Sequence, residues 1–220
     1  MKIVAVVSGG LDSTTLLYHL KEAGHGLLAI SFDYGQRHSC ELEKAKEVCQ
    51  LIKVPHRVAD VSSIGPIIAG NSALLNDAVE VPDGHYESEN MKVTVVPNRN
   101  MIMLSIAAGY AIANKCNALA YAAHKGDHAI YPDCREEFIA AMRQALWLCD
   151  WSCMELSAPF SGMSKTEIVK RGAELKVPFE KTWSCYRGGG KLHCGTCGTC
   201  TERKEAFRDA GVKDPTEYEK

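Results

Sequence analysis

Several features that would place the chain in other protein classes are missing from its sequence. No apolar run approaches the roughly 20 residues of a membrane span, and the run near the N-terminus is shorter than a signal-peptide core. The formal net charge is −2 over 220 residues, so there is no overall basic field to favour RNA. Internal repeats and low-complexity segments are also missing. We therefore expect a cytoplasmic globular protein without a membrane partner, for which direct nucleic-acid binding is disfavoured.

The chain also lacks the GxxxxGK[ST] loop of P-loop nucleotide hydrolases. Instead, an apolar run over residues 2–7 leads through two glycines into a helix-like segment from about Asp12. Main-chain N–H groups at such a turn, together with the helix dipole, favour anions such as phosphate. The alternative is an ordinary turn with Asp12 as the helix cap. The candidate nucleotide-binding residues here are Ser8, Gly9, Gly10, Leu11, Asp12, Ser13 and Thr14.

Strand-like and helix-like segments alternate along the chain. Strands are expected over residues 2–7, 27–33, 56–61, 118–123 and 154–157. The segment 100–114 is apolar nearly all round, which predicts a helix buried against the sheet. The alternation predicts an α/β fold with a doubly wound parallel sheet, with ligands over the carboxyl ends of its strands. We expect one nucleotide-binding domain over 1–180, with 62–90 as a lid or insertion, and a small metal-binding segment over 181–220.

Ten cysteines in a chain without an export signal favour metal binding over disulfides. Cys185, Cys194, Cys197 and Cys200 supply four thiolates, the last three at successive C-x-x-C spacing. Four sulfur ligands predict one structural, tetrahedral Zn²⁺ per chain, and an iron–sulfur cluster is the rival.

The remaining cysteines share no common spacing. Cys49 and Cys149 lie on apolar faces of predicted helices, so we expect both to be small core residues. Cys134 ends a polar loop and is a candidate reactive thiol.

Polar residues follow the predicted strands where a ligand would lie. Tyr34 is a candidate to stack on a base, and Asp33 to reach a ribose or an exocyclic amine. Arg99 stands at a helix entrance, where a cation opposes the helix dipole, so an anionic partner such as phosphate or carboxylate is expected. Lys165 either reaches phosphate or is solvated.

The segment 123–135 is too polar for a passive connection. Lys125 and Arg135 are candidates to hold a substrate carboxylate. Asp127 and Asp133 are candidates to accept from a guanine-like N–H edge, although Asp133 is equally a cap for the next helix. The candidate substrate-binding residues are Lys125, Asp127, Tyr131, Asp133 and Arg135.

Together, the motifs SGGLDS, FDYGQRH, PNRNM, YPDCR, GMSK and the four-cysteine segment resemble the QueC family. These are the 7-cyano-7-deazaguanine (preQ0) synthases among the PP-loop ATP pyrophosphatases, and the motifs run in the family's order through Cys200. The resemblance implies a C–N bond-forming ligase of queuosine-type biosynthesis, which uses ATP with Mg²⁺, 7-carboxy-7-deazaguanine and ammonia. It also implies a homodimer. Catalytic roles are then expected for Ser8, Asp12, Ser13, Lys125 and Lys165, and nucleotide contacts for Asp33, Tyr34 and Arg99 as well as the loop.

Alternatives remain open at this point. The segment 123–130 departs from GVNAVDYSG, which is common in that family, so a paralogue that attaches a deazaguanine to a macromolecule is one alternative. A tRNA sulfur transferase of the same fold is another, with Cys134 as its sulfur carrier. A nucleotide-sensing module with a zinc knuckle is the third. Residue 2 is Lys rather than a nucleophilic cysteine, which favours free ammonia as the nitrogen donor.

Overall fold

A central parallel sheet organises the chain, of which the computed structural model describes residues 1–187 and 192–219. Within these residues five strands pair in the order β3-β2-β1-β4-β5. Val4 on β1 lies between Leu28 on β2 and Leu119 on β4. The winding reverses at the β1–β4 pair, which confirms the predicted doubly wound α/β fold. The strands are β1 Lys2–Val6, β2 Gly26–Asp33, β3 His56–Asp60, β4 Ala118–Ala120 and β5 Glu155–Ser157.

Helices cover both faces of the sheet and enclose two apolar cores. One core contains side chains of α1, α2, α6 and α7, and the other contains side chains of α4 and α5. The helices are α1 Leu11–Glu22, α2 Cys40–Leu51, α3 Gly65–Ile68, α4 Arg99–Ala113, α5 Glu136–Leu148, α6 Lys165–Glu174 and α7 Gly198–Ala210. Short 3₁₀ helices lie at Ser62–Ile64, Glu89–Thr94, Lys125–Ala129, Pro132–Cys134 and Phe179–Lys181. No helix among the described residues has the length and apolar character to cross a membrane.

The structure confirms two expectations about burial and corrects one. Helix α4 packs against the sheet as predicted, with Leu104, Ala107 and Ala111 buried, while Met101 is 45% exposed. Cys149 is exposed, since it follows the last residue of α5 and leaves that helix's buried face, whereas Cys49 is buried as predicted. Helix α6 begins with a capping box, in which Ser164 Oγ accepts from the Glu167 amide at 3.3 Å.

Residues 62–90 lie against the C-terminal cysteine segment. Arg37 donates to the carbonyl oxygens of Asn76 and Val79 at 2.9 and 3.2 Å, and the Gly84 amide donates to the Thr196 carbonyl at 3.1 Å. Arg37 of the FDYGQRH motif therefore anchors this stretch. A lid function for 62–90, and a domain boundary at residue 180, stay predictions.

Candidate active site

A single cavity unites most of the polar motifs at the carboxyl ends of β1, β2 and β4. It lies where the strand order reverses, which is the usual ligand position in an open α/β sheet. Residues from the glycine loop, the β2–α2 connection, the start of α4, the segment after β4, α6 and the cysteine segment line it. A cavity therefore lies where ligands were predicted to bind, over the carboxyl ends of the strands.

The glycine loop is held open by contacts among its own residues. Gly9 adopts φ +90°, and a Cβ there would lie 2.0 Å from the Glu41 carbonyl oxygen on α2, so this position requires glycine. Ser13 Oγ accepts from the Ser8 amide at 3.1 Å, and Ser8 Oγ accepts from the Gly10 amide at 3.2 Å. Because the first amides of a helix have no intrahelical acceptor, the N-terminus of α1 presents free N–H groups beside the cavity.

Asp12 is not the helix cap that the alternative reading required. Gly10 holds the N-cap position of α1, and the Asp12 carboxylate instead accepts from Lys165 Nζ at 2.6 Å. Glu202 of α7 lies 3.3 Å from the same Lys165 Nζ, and His124 Nε2 lies 3.4 Å from Asp127. A charged cluster therefore lies next to the loop that would hold an anion.

The protonation of this cluster follows from burial and charge together. Burial alone would raise the pKa of Asp12, but the positive charge of Lys165 lowers that pKa below its ordinary value. Burial likewise opposes the charge on Lys165, yet Asp12 and Glu202 raise its pKa. Burial raises the pKa of Glu202. Lys165 and Asp12 therefore form an ionised pair at neutral pH, and Asp12 Oδ1 has no hydrogen-bond partner among the described residues.

Arg99 lies in the aromatic part of the cavity. Burial opposes its charge, but Tyr34, Tyr186 and Asp133 raise its pKa well above the ordinary value, so it is a cation. No ion pair with a carboxylate is formed by Arg99 within residues 1–187 and 192–219. A buried cation of this kind favours an anionic ligand.

The predicted site residues divide into those that line the cavity and those that do not. Asp33 accepts from the Gly35 amide, Lys125 is exposed, and Arg135 donates to the His128 carbonyl oxygen at 2.8 Å. Asp133 accepts from the Asn100 amide at 3.0 Å, at the entrance of α4. Gly9 and Thr14 are buried and do not line the cavity. The predicted residues that line the cavity are Ser8, Gly10, Leu11, Asp12, Ser13, Tyr34, Arg99, Asp127, Tyr131 and Lys165. Their individual roles stay predictions.

Several residues of the cavity were missed by reasoning from the sequence alone. Tyr186 comes from the cysteine segment, Glu202 from α7 and Tyr86 from the stretch expected to be a lid. Their positions depend on contacts between distant parts of the chain. His38 and Glu41 follow the FDYGQ motif closely, and this position could have marked them as candidates. The sequence did not indicate, however, that α2 would lie against Gly9.

The four predicted metal-ligating cysteines are brought together. Their Sγ atoms all lie within 4.8 Å of one another, and all four residues are buried. His193 is not part of the set, because its Nε2 accepts from the Ser184 amide at 3.0 Å. The Trp183 amide donates to the Gly9 carbonyl oxygen at 3.0 Å, which joins the cysteine segment directly to the glycine loop.

Comparisons with a family profile and with individual known proteins agree on one family. The family profile described as "Queuosine biosynthesis protein QueC" matches residues 2–211. A 7-cyano-7-deazaguanine synthase of Caldicellulosiruptor saccharolyticus is 55% identical over 219 residues, covering 100% of this chain and 96% of the relative. A protein of the same name from Methanoregula boonei is 50% identical, with 100% of both chains covered.

Solved structures of lower identity share the fold. The U34-tRNA thiolase NcsA from Methanococcus maripaludis, solved with its [4Fe-4S] cluster, superposes with a TM-score of 0.54 at 16% identity, covering 94% of this chain and 64% of that one. The NMN synthetase of Francisella tularensis superposes with a TM-score of 0.53 at 11% identity, covering 96% and 77%. These likenesses concern the fold alone.

Proposed function

Because the chain belongs to the QueC family, we propose that it is a 7-cyano-7-deazaguanine synthase that uses ATP and ammonia to convert 7-carboxy-7-deazaguanine into the nitrile. The observation that carries the proposal is one cavity in which the glycine loop and a Lys165–Asp12 pair adjoin Arg99, a buried cation that forms no ion pair within residues 1–187 and 192–219. The product is a precursor in queuosine-type biosynthesis.

The reaction requires activation because oxide is a poor leaving group from a carboxylate. The substrate carboxylate attacks the α-phosphorus of ATP, and pyrophosphate leaves. Ammonia then displaces AMP from the acyl adenylate to give the amide. A second ATP activates the amide oxygen in the same way, and loss of two protons and AMP leaves the nitrile. This sequence makes the enzyme a C–N ligase that consumes two ATP per nitrile.

The loop and the charged cluster supply what these steps need. The free amides of α1, with the hydroxyls of Ser8 and Ser13, bind the phosphates, and Lys165 stabilises the charge that develops on pyrophosphate. Asp12 Oδ1, which has no hydrogen-bond partner in the described part of the chain, would hold Mg²⁺ together with ATP, and the ion would add charge stabilisation there. Holding the reactants in a partly enclosed cavity limits hydrolysis of the adenylate.

Zinc is the proposed occupant of the cysteine site. Tetrahedral Zn–S bonds of about 2.3 Å place sulfur atoms about 3.8 Å apart, and Cys194 Sγ lies 3.9 Å from Cys200 Sγ. A four-iron cube would separate its thiolates further, because cluster atoms stand between them. Metal analysis together with visible absorption distinguishes zinc from the coloured iron–sulfur alternative.

The sulfur-transferase alternative is disfavoured by Cys134 itself. Burial raises the pKa of the Cys134 thiol well above its ordinary value, and Asp127 and Asp133 raise it further. A sulfur carrier needs the opposite, an accessible thiol with a lowered pKa. The paralogue that attaches a deazaguanine to a macromolecule stays the second candidate, and product analysis separates it.

A homodimer is proposed from the family and from exposed apolar side chains. Trp147, Leu148 and Trp151 at the end of α5, with Met101 and Ile106 on α4, are exposed in the single chain. Apolar side chains of this size at the surface are typical of protein interfaces. Light scattering coupled to size exclusion measures the assembly, and a monomer at micromolar concentration would contradict this part of the proposal.

The function is tested by mass spectrometry of a reaction with 7-carboxy-7-deazaguanine, ATP, Mg²⁺ and ammonium. We expect the nitrile, with two AMP and two pyrophosphate released per nitrile. AMP with an amide or adenylate but no nitrile would favour the paralogue. No turnover of the acid would refute the assignment and leave an ATP pyrophosphatase with another substrate.

A further inference from the structure

A buried carboxyl and a buried cation face the cavity without pairing with each other. The Glu41 side chain is only 12% exposed, lines the cavity and belongs to the first turn of α2. Arg99 begins α4 on another side of the same cavity. No salt bridge joins them in the described part of the chain, so each is available to a ligand.

Glu41 has few partners within the protein, and burial raises the pKa of its carboxyl to about 8. His38 Nε2 lies 3.5 Å away, but burial lowers the pKa of His38 to about 4, so this ring is neutral. The charge of Arg99 and a hydrogen bond from Gln36 lower the pKa of Glu41 but do not offset burial. Further N–H donors from a ligand would favour the ionised carboxylate, which burial alone disfavours.

The other acidic candidates for reading a substrate edge are already engaged. Asp127 accepts from the Tyr86 hydroxyl at 2.9 Å and from the His124 amide at 3.1 Å. Asp133 accepts from the Asn100 amide at 3.0 Å and does not line the cavity. Glu41 is therefore the carboxyl best placed to accept hydrogen bonds from a bound ring.

We propose that Glu41 determines substrate specificity in 7-carboxy-7-deazaguanine binding. Glu41 accepts hydrogen bonds from the ring N–H and the exocyclic amine of the substrate's aminopyrimidinone ring. Arg99 binds the substrate edge that carries the carbonyl oxygen and the carboxylate. This inference rests on the proposed function. The two donors on one edge match the two oxygens of a carboxylate, and the acceptors on the other edge match a guanidinium. An adenine ring has one donor beside one acceptor and no anionic group for Arg99.

The test compares wild type with Glu41→Gln and with the matched control Glu43→Gln. Glu43 lies on the same helix, and its side chain is 74% exposed. The amide of Glu41→Gln turns a donor toward the substrate's donors, so we expect KM for the acid to rise about 100-fold or more. KM for ATP should stay within about threefold, and Glu43→Gln should match wild type in both constants.

An analogue of the acid without the exocyclic amine gives a second readout. Wild type should bind it at least about 10-fold more weakly than the acid, while Glu41→Gln should discriminate far less between the two. Titration calorimetry without ATP measures this directly. Should Glu41→Gln fold poorly, Glu41→Asp keeps the charge and is expected to raise KM for the acid alone.

The remaining outcomes overturn the proposal in distinguishable ways. A rise in KM for ATP with that for the acid unchanged would place Glu41 against the adenine ring of ATP instead. Unchanged constants in Glu41→Gln would exclude a role in binding. If wild type neither binds nor converts the acid, the proposed function fails first, and this inference fails with it.

Discussion

Replacing Lys165 by methionine removes the cation that two carboxylates share beneath the glycine loop. Lys165 Nζ lies 2.6 Å from Asp12 and 3.3 Å from Glu202, and its side chain is 14% exposed. Removing one partner of a buried ion pair costs about 3–5 kcal/mol, because the remaining charge is left uncompensated. With a urea dependence of about 2 kcal/mol per molar, the unfolding midpoint should fall by about 2 M.

The double variant Lys165→Met with Asp12→Asn separates pairing from catalysis. Removing both charges leaves no isolated ion at Asp12, so the double variant should be about 1–3 kcal/mol more stable than the sum of the single changes predicts. Its activity should stay lost, because the cation at the departing pyrophosphate is still missing and such a group contributes about 10²–10³ in kcat.

Urea unfolding of the metal-loaded protein followed by fluorescence gives the free energies, and pyrophosphate release gives the rates. An unfolding free energy for Lys165→Met within about 1 kcal/mol of wild type would refute the pairing argument. Wild-type kcat in the same variant would refute the role of Lys165 at the phosphates.

Three further predictions concern the loop, the metal site and the buried thiol. Gly9→Ala should destabilise the protein by about 1–3 kcal/mol and weaken ATP binding, since its Cβ would meet the Glu41 carbonyl oxygen at a strained φ; wild-type affinity by calorimetry would contradict this. Removal of the metal by a chelator should abolish ATP binding while most of the circular dichroism remains, because the Trp183 amide holds the Gly9 carbonyl oxygen; unchanged affinity would show the two regions to be independent. Cys134→Ser should keep activity within about tenfold in nitrile assays, whereas complete loss would revive the sulfur-carrier reading.

Local patterns were sufficient for the fold class, the loop and the metal ligands. The strand–glycine–helix junction around Gly9 and the C-x-x-C spacing of Cys194, Cys197 and Cys200 each lie within a few consecutive residues. Short segments of this kind specify their own backbone geometry, so predictions made from them hold in the folded chain. The parallel sheet followed from the alternation of elements, which is also a local property.

The burial of individual residues and the partners of their side chains could not be predicted from local patterns. Cys149 was expected in the core and is exposed, because the residue lies just past the end of its helix. Asp12 carries the pattern of an ordinary cap, yet it pairs with Lys165, which is 153 residues away in the chain. Arg203 is completely buried and donates to the Phe179 carbonyl oxygen and to Thr182. Arginine side chains are mostly exposed in proteins, so the residue type alone predicts a surface position.

Sequence alone was enough to predict a glycine loop suited to anions, four cysteines spaced for a metal and the family to which both features belong. Which polar groups share the cavity depended on tertiary contacts, which bring together Glu41 from the first turn of α2, Arg99 from α4 and Glu202 from α7. Loop and ligand motifs are set by neighbouring residues. The charge state and availability of a buried group depend instead on what distant elements place beside it.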